Sequence, residues 1–467
     1  MRKTKIVATL GPATESAEML EKLISAGVDI FRLNMSHAKH DGVRAVVPAI
    51  RELSKKLNRP VGILLDTQGP AIRTGDLPNA LNLKVGDTFT FTVRGHKNEE
   101  IHSVDTNYDG LINDVNVDGV VLVDNGVIRM LVKEKHQHAF KCEVLTEGTM
   151  ASRRHINLPG IKVNLPALTQ KDIEDVHLGL EVGADFIALS FVREAADIQL
   201  LRQTIAAKQK QFIPIIAKIE DVQAVQNIDE IIAVADGVMV ARGDLGIECP
   251  YEELPIIQRK IVKHCLIAGK PVIVATHLLE SMIQNPIPTR AEITDVSNAV
   301  FESVDALMLS GETTVGRYPA QCVEVLDRVA RRIEHSGNFG AQKDLEIHSE
   351  KQAMVSSAVY MADKIKANGI CVFTRHGNIP AMCAAQRPRH SPIYAFTSDE
   401  RLLHQMTLRY GVQAFLLPFG DNPEDNIIAV QNLLKQKNLV ASGAKLVFIS
   451  DVLTWGDPVT SVQLRIV

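Results

Sequence analysis

A chain of 467 residues with 46% hydrophobic and 23% charged residues is too long for one ordinary core and has the balance of a folded globular protein, not of a disordered or membrane-embedded one. Its formal net charge of −4 excludes a general attraction to nucleic acid or to an anionic membrane surface, so any anionic ligand must be held by local cations. The six cysteines (Cys142, Cys249, Cys265, Cys322, Cys371, Cys383) show neither zinc nor disulfide spacing, and no run approaches the roughly 18 apolar residues of a spanning helix, so the expected compartment is the cytoplasm.

In chain order, the basic opening MRKTKIVATL breaks at Gly11-Pro12, too soon for a signal peptide. Eight short apolar runs follow one another: KIVATL, DIFRLNMS, GILLDTQ, DFIALSFV, IPIIAKIE, GVMVARGD, VIVATH and ALMLSGE. Each precedes a stretch of helical periodicity, which predicts parallel strands with crossover helices. Eight such units predict an α/β fold closed as a TIM (β/α)8 barrel, with its site at the C-terminal ends of the strands.

Between the third and fourth runs, alternating stretches such as TFTFTV and GVVLVDNGVIRMLV predict a small inserted β-barrel that hangs from the catalytic face as a lid. After the polar segment NFGAQKDLEIHSE, the runs GICVFT, PIYAFT, VQAFLLP, KLVFIS and VQLRIV predict a C-terminal α/β domain. The expected division is 1–70 and 159–340 for the barrel, 71–158 for the lid and 341–467 for the last domain.

The eight runs end in polar groups: Thr9; Arg32 with Asn34 and Ser36; Asp66; Ser190; Lys218 with Glu220; Arg242 with Asp244; Thr276; Ser310 with Glu312. Strand ends are where solvent begins, so any single position is open to a bland reading. Lys218, Glu220 and Asp244 together are not, because buried charges of both signs need partners or a metal. Glu220 and Asp244, with no nearby His or Cys, make a hard-oxygen pair suited to Mg²⁺ or Mn²⁺; salt bridges to Arg242 or Lys218 are the alternative. Lys218 sits two residues before Glu220, on the same face of a strand, where an ammonium either stabilises charge on a phosphoryl group or an enolate, or merely caps a buried acid. The turn Arg242-Gly243-Asp244-Leu245-Gly246 offers backbone amides to an anion, a weak signal alone. Arg32 and Arg73 match phosphate oxygens, and the oxygens of Asn34, Ser36, Asp66 and Thr67 suit a monovalent cation.

These segments resemble the pyruvate kinase family. KIVATLGPAT, FRLNMSH, LLDTQGPAIRTG, NLPG, LPALTQKD, SFVR, IIAKIED, GVMVARGDLGIE, VIVATHLLESMI, PTRAEITDV and LSGETTVGRYP are similar to its signatures and stand in the same order. The resemblance implies Mg²⁺- and K⁺-dependent phosphoryl transfer from phosphoenolpyruvate to ADP, giving pyruvate and ATP at the end of glycolysis, by a homotetramer. It implies that Lys218 is the transfer lysine and that Glu220 and Asp244 ligate Mg²⁺. Arg32 and Arg73 would contact the phosphoryl group, and Gly243, Asp244 and Thr276 the substrate carboxylate. Asn34, Ser36, Asp66 and Thr67 would hold K⁺. Asn34, His37, Arg73 and Arg154 would meet the nucleotide, and water near Thr276 and Ser310 would deliver the enolate's proton.

The sequence departs from the family at Gln68-Gly69-Pro70-Ala71, where Lys-Gly-Pro-Glu is usual; at Ala275-Thr276-His277-Leu278, for Ala-Thr-Gln-Met; and at Asp124-Asn125, for a double aspartate. Thr374-Arg375-His376-Gly377-Asn378-Ile379 replaces a Ser/Thr-rich phosphate loop, and WGDPVTSVQLRIV lacks a glycine-rich closing loop. Fructose 1,6-bisphosphate is therefore not expected to activate, and Arg375, Arg387, Arg389 and His390 read as a solvated basic face. A metal-dependent lyase or aldolase is the competing enzyme class. A metabolite-binding protein without turnover is the non-enzymatic one, but it would have lost Lys218, Glu220 or Asp244.

Overall fold

The computed structural model describes residues 2–94, 96, 102–161, 163, 165–208, 212–336, 345, 347–454 and 457–467. The expected 340/341 domain boundary, most of the polar segment that spans it, and Trp455-Gly456 of the final stretch lie outside the described residues.

Eight parallel strands close into a barrel in sequence order: Lys5–Thr9, Ile30–Asn34, Gly62–Asp66, Phe186–Leu189, Ile215–Ile219, Gly237–Ala241, Val272–Ala275 and Ala306–Leu309. They are the eight apolar runs of the sequence. Buried on both faces, each strand splits its side chains by the period of two. Val7 joins an interior cluster with Ile30, Leu64, Ile216, Met239, Ile273 and Met308, while Ile6 and Ala8 face the surrounding helices. The helices are set by local chemistry, as in the reciprocal capping boxes of Thr169 with Asp172 and Thr289 with Glu292.

The chain leaves the barrel after the third strand and returns before the fourth. Between those points lie a seven-stranded sheet, a two-stranded one and a single-turn helix, Leu111–Asp114, that strand periodicity does not announce. Phe89, Phe91 and Phe140 fill its separate core, with Phe91 and Phe140 stacked at 5.1 Å. The outgoing strand Ile72–Arg73 and the returning strand His155–Asn157 pair with each other, Arg73 opposite His155. The insert therefore hangs from the barrel mouth by two adjacent threads.

The C-terminal sheet has five strands. Val412–Leu416, Ile393–Thr397, Gly369–Phe373 and Lys445–Thr454 are parallel, and Asp457–Ile466 is antiparallel at the edge. That last strand starts well before the VQLRIV run because it pairs with its predecessor residue for residue from Thr454↔Asp457 to Lys445↔Ile466.

This domain seals the underside of the barrel. Leu408, at the end of the 3-10 turn Met406–Leu408, belongs to the barrel's interior cluster. Arg387 corrects the expectation of a solvated basic face. It is 7% exposed, donates through Nη2 to Asp305 Oδ2 at 2.6 Å and through Nε to the Ser303 carbonyl at 3.1 Å, and lies over the Tyr410 ring. The reason is positional, since Arg387 follows a helix that packs onto the barrel floor, while Arg375, Arg389 and His390 are exposed as expected.

His404 is also buried at this junction, with its ring against the Val61 backbone and Nδ1 without a partner among the described residues. Burial, reinforced by Arg51, lowers its pKa from 6.5 to about 4. As pH falls through that interval the unfolded chain takes up a proton that the folded chain refuses, so stability is lost on acidification. We expect this residue to cost about 2 kcal/mol by pH 5, read as a fall in the urea midpoint between about pH 7 and pH 5 that is flatter in His404→Gln. Parallel pH profiles of the two proteins would refute it.

Candidate functional site

Side chains at the third, fourth and fifth strand ends meet around one ammonium. Lys218, on the fifth strand, is 8% exposed, and its Nζ reaches Ser190 Oγ at 2.6 Å, Glu220 Oε1 at 2.9 Å and Asp66 Oδ1 at 3.2 Å. Burial opposes its charge, but Asp66 and then Glu220 outweigh burial and raise the ammonium above its ordinary range. Lys218 is a cation throughout the neutral range, aimed by three acceptors.

Asp66 is shared. Its Oδ2 accepts from Arg32 Nε at 2.5 Å, and Arg32 Nη1 reaches Thr9 Oγ1 at 3.1 Å, which fixes the guanidinium across the first three strands. Burial alone would raise the Asp66 carboxyl; Lys218 and Arg32 hold it low. Thr67 and Ser190 lock the adjacent strand ends, the Ser190 N–H donating to Thr67 Oγ1 at 3.1 Å and Ser190 Oγ to the Thr67 carbonyl at 2.7 Å.

Glu220 is 1% exposed, and its Oε2 accepts the Phe191 N–H at 2.6 Å, from a residue held at φ 52. Burial raises the Glu220 carboxyl, Lys218 pulls it back, and the neighbouring Asp244 pushes it up again. Asp244 lies in the first turn of the helix Arg242–Glu248, which starts directly from the sixth strand, and its carboxylate makes no hydrogen bond or ion pair among the described residues. Two adjacent carboxylates, one of them unpaired, form an oxygen donor set fit for a hard divalent cation. Among the described residues no group of three His, Cys, Asp or Glu gathers around a metal position, so further ligands must come from substrate or water.

Arg242 turns away from this centre. It donates to the Ala275 carbonyl at 3.2 Å, the Thr276 carbonyl at 2.5 Å and Asp295 at 2.8 Å, tying the sixth strand end to the seventh. The Gly243 N–H donates to Thr276 Oγ1 at 2.7 Å, so the two expected carboxylate contacts are joined to each other. Thr276 and His277 both hold positive φ, at 68° and 54°, a costly conformation that lifts the threonine towards the turn. Glu312 is structural, accepting the Ser310 N–H at 2.8 Å and the Leu279 N–H at 3.0 Å, while the Ser310 hydroxyl is buried without a partner among the described residues.

The other expected residues stand on the rim. Asn34 Oδ1 accepts the Ser36 N–H at 3.2 Å, and Ser36 and His37 are exposed. Arg73 and Arg154 lie on the insert, where Arg73 Nη1 donates to the Arg153 carbonyl at 3.2 Å and Arg154 pairs with Asp124 at 3.2 Å. Ala71 meets Asn107, whose Nδ2 donates to its carbonyl at 2.9 Å.

Three residues, His155, Asn157 and Glu248, escaped the strand-end logic. His155 is lowered by burial, feels Asp244 and then Arg73, and sits 6.2 Å from the Phe191 ring, so it joins the insert to the mouth. Asn157 Nδ2 donates to Glu248 Oε1 at 2.8 Å, linking the returning strand to the helix that carries Asp244. All three line a cavity of about 400 Å³ that includes Glu220. The NLPG motif beginning at Asn157 was the available signal.

Two family models match the chain: pyruvate kinase, barrel domain, over residues 1–323, and pyruvate kinase, alpha/beta domain, over residues 352–465. A pyruvate kinase of Geobacillus stearothermophilus is 40% identical over 458 residues, covering 97% of this chain and 78% of that protein. The chloroplastic pyruvate kinase isozyme G of Nicotiana tabacum is 40% identical over 447 residues, covering 95% and 79%. A crystal structure of a pyruvate kinase from Cryptosporidium parvum is similar at a TM-score of 0.93 and 35% identity, covering 99% of this chain and 96% of that one. No helix among the described residues is long and apolar enough to cross a membrane.

Proposed function

The chain belongs to the pyruvate kinase family, and from that premise we propose that the cluster centred on Lys218 transfers the phosphoryl group of phosphoenolpyruvate to ADP. The protein is a phosphotransferase. The observation that carries the site assignment is the Lys218 ammonium held between Asp66, Glu220 and Ser190 beside the unpaired Asp244.

Arg32, locked by Asp66 and Thr9, keeps its remaining Nη2 hydrogens for phosphoryl oxygens, and Arg73, on the insert, is the second guanidinium for them. Lys218 spreads positive charge over the phosphoryl group in flight and over the enolate left behind, where its fixed orientation costs no reorganisation. Glu220 and Asp244 would hold Mg²⁺, or Mn²⁺, which would supply electrostatic stabilisation of that same negative charge. The Gly243 and Asp244 amides with Thr276 orient the substrate carboxylate. Thr276 and the unpartnered Ser310 hydroxyl support a water relay to the methylene carbon.

Asn34, His37, Arg73 and Arg154 contact the nucleotide as the insert, residues 71–158, closes over barrel segments 1–70 and 159–340. Asn34, Ser36, Asp66 and Thr67 are the positions for K⁺. Both Asp66 oxygens are already engaged by Lys218 and Arg32, and Ala71 brings no carboxylate, so charge for a monovalent ion is scarce here. Residues 341–467 form the last domain, the assembly is a homotetramer, and the compartment is the cytoplasm.

A coupled pyruvate assay with Mg²⁺, run with and without ADP and with and without K⁺, tests this reading. Pyruvate should form only when ADP is present. ADP-independent pyruvate would transfer the site to lyase chemistry, and a rate that does not respond to K⁺ would remove the monovalent site.

A further inference from the structure

On the underside of the barrel, far from the mouth, a crevice of about 370 Å³ opens between the barrel and the C-terminal domain. Arg409, one residue past the 3-10 turn Met406–Leu408, lines it. So does Lys270, in the loop ahead of the seventh strand. The opposite wall is formed by Gln352 of the helix Glu350–Lys364, by Asn378 of the helix Asn378–Ala385, and by Gln386 just beyond it.

The charges in this crevice do not balance. The Arg409 guanidinium makes no hydrogen bond or ion pair among the described residues, and the Lys270 ammonium donates to a neutral acceptor, the Ala235 carbonyl, at 2.7 Å. One carboxylate, Asp236, also lines the crevice, but it and the nearby Asp305 are engaged by other donors. Asp236 Oδ2 accepts from Arg202 Nη2 at 2.8 Å and from the Ile215 N–H at 2.9 Å. Asp305 accepts from Arg387 at 2.6 Å, the Val272 N–H at 3.1 Å and the Tyr410 N–H at 3.2 Å. Burial lowers both Arg409 and Lys270, and Arg409 pushes Lys270 further down against the pull of Asp236. A partly buried guanidinium and an ammonium on one cavity, with no anion of their own, attract one from solution.

We infer that this crevice binds the phosphate group of a small phosphate monoester. Two unpaired cations match a dianion, and the planar fork of Arg409 matches phosphate oxygens in pairs. The three side-chain amides supply neutral donors and acceptors suited to the hydroxyls of a polar body. The volume lies within the range of small-molecule sites. Such a ligand would bridge the barrel floor and the C-terminal domain.

Calorimetric titration of the whole protein with inorganic phosphate, and separately with glycerol 3-phosphate, tests the site in wild type, Arg409→Gln and Lys270→Gln. Anion binding at the mouth is common to all three proteins and cancels in the comparison. The expected result is a second anion per wild-type chain, bound at least roughly tenfold more weakly in Arg409→Gln and also weakened in Lys270→Gln, with unliganded kcat within about twofold in both. Weakening for both ligands assigns recognition to the phosphate alone; weakening confined to the ester assigns it to the ester, through the amide wall. A single anion per wild-type chain, or affinities unchanged in both variants, would overturn the site. Should Arg409→Gln fail to fold, the Lys270→Gln comparison decides the question, because Lys270 is only partly buried and its loss leaves no carboxylate unpaired.

Discussion

Lys218→Met is expected to lower kcat by roughly 10²–10³-fold, with a much smaller change in the half-saturation for phosphoenolpyruvate. Methionine keeps the length and the packing of the side chain and removes only the charge. Arg32 still binds Asp66, so substrate docking at the mouth survives, whereas the charge that develops on the transferring group loses a donor already oriented towards it. Removing the ammonium also leaves Glu220 beside Asp244 with no cation to offset their repulsion, and its carboxyl should rise further. Metal affinity at neutral pH should therefore weaken modestly and recover as pH is raised. Steady-state kinetics at saturating metal, with Mn²⁺ binding followed by electron paramagnetic resonance, separates these effects. A variant turning over within about tenfold of wild type would remove Lys218 from the chemistry.

Glu220→Gln should be comparably damaging through a different parameter. The amide keeps an acceptor for the Phe191 N–H and loses the anionic half of the Glu220–Asp244 pair. We expect the Mg²⁺ concentration needed for half-activation to rise and kcat/KM to fall by roughly 10²–10³-fold at fixed metal, with partial recovery at high Mg²⁺. Activity against Mg²⁺ concentration is the measurement, and an unchanged half-activation point would exclude Glu220 as a ligand.

The barrel was legible because its strands are buried on both faces and so appear as uninterrupted apolar runs, with Lys218, Glu220 and Asp66 conspicuous at their ends. Burial and hydrogen bonding then explain what could not be read. Arg242 stood among the strand-end polar groups as a possible partner of the acids, but it reaches Asp295, on the helix Arg290–Phe301, and that reach depends on packing between segments distant in sequence. Arg387 looked solvated for the same reason, because its partner Asp305 comes from the other domain. His155 and Asn157 carry no periodic signal at all, and they matter through the geometry by which the insert rejoins the barrel.

Leu408 gives the two larger domains an unusual dependence on each other. It is supplied by the C-terminal half of the chain, yet it packs among Val7, Ile30, Leu64 and Met239 in the innermost layer of the barrel. The boundary between the domains therefore does not coincide with the boundary between their cores. A hinge at that floor would have to withdraw an apolar stopper from a closed ring, which resists gradual sliding and favours a few discrete seated positions. Any swivel of the last domain would reach the inner ends of the strands first and the polar rim afterwards.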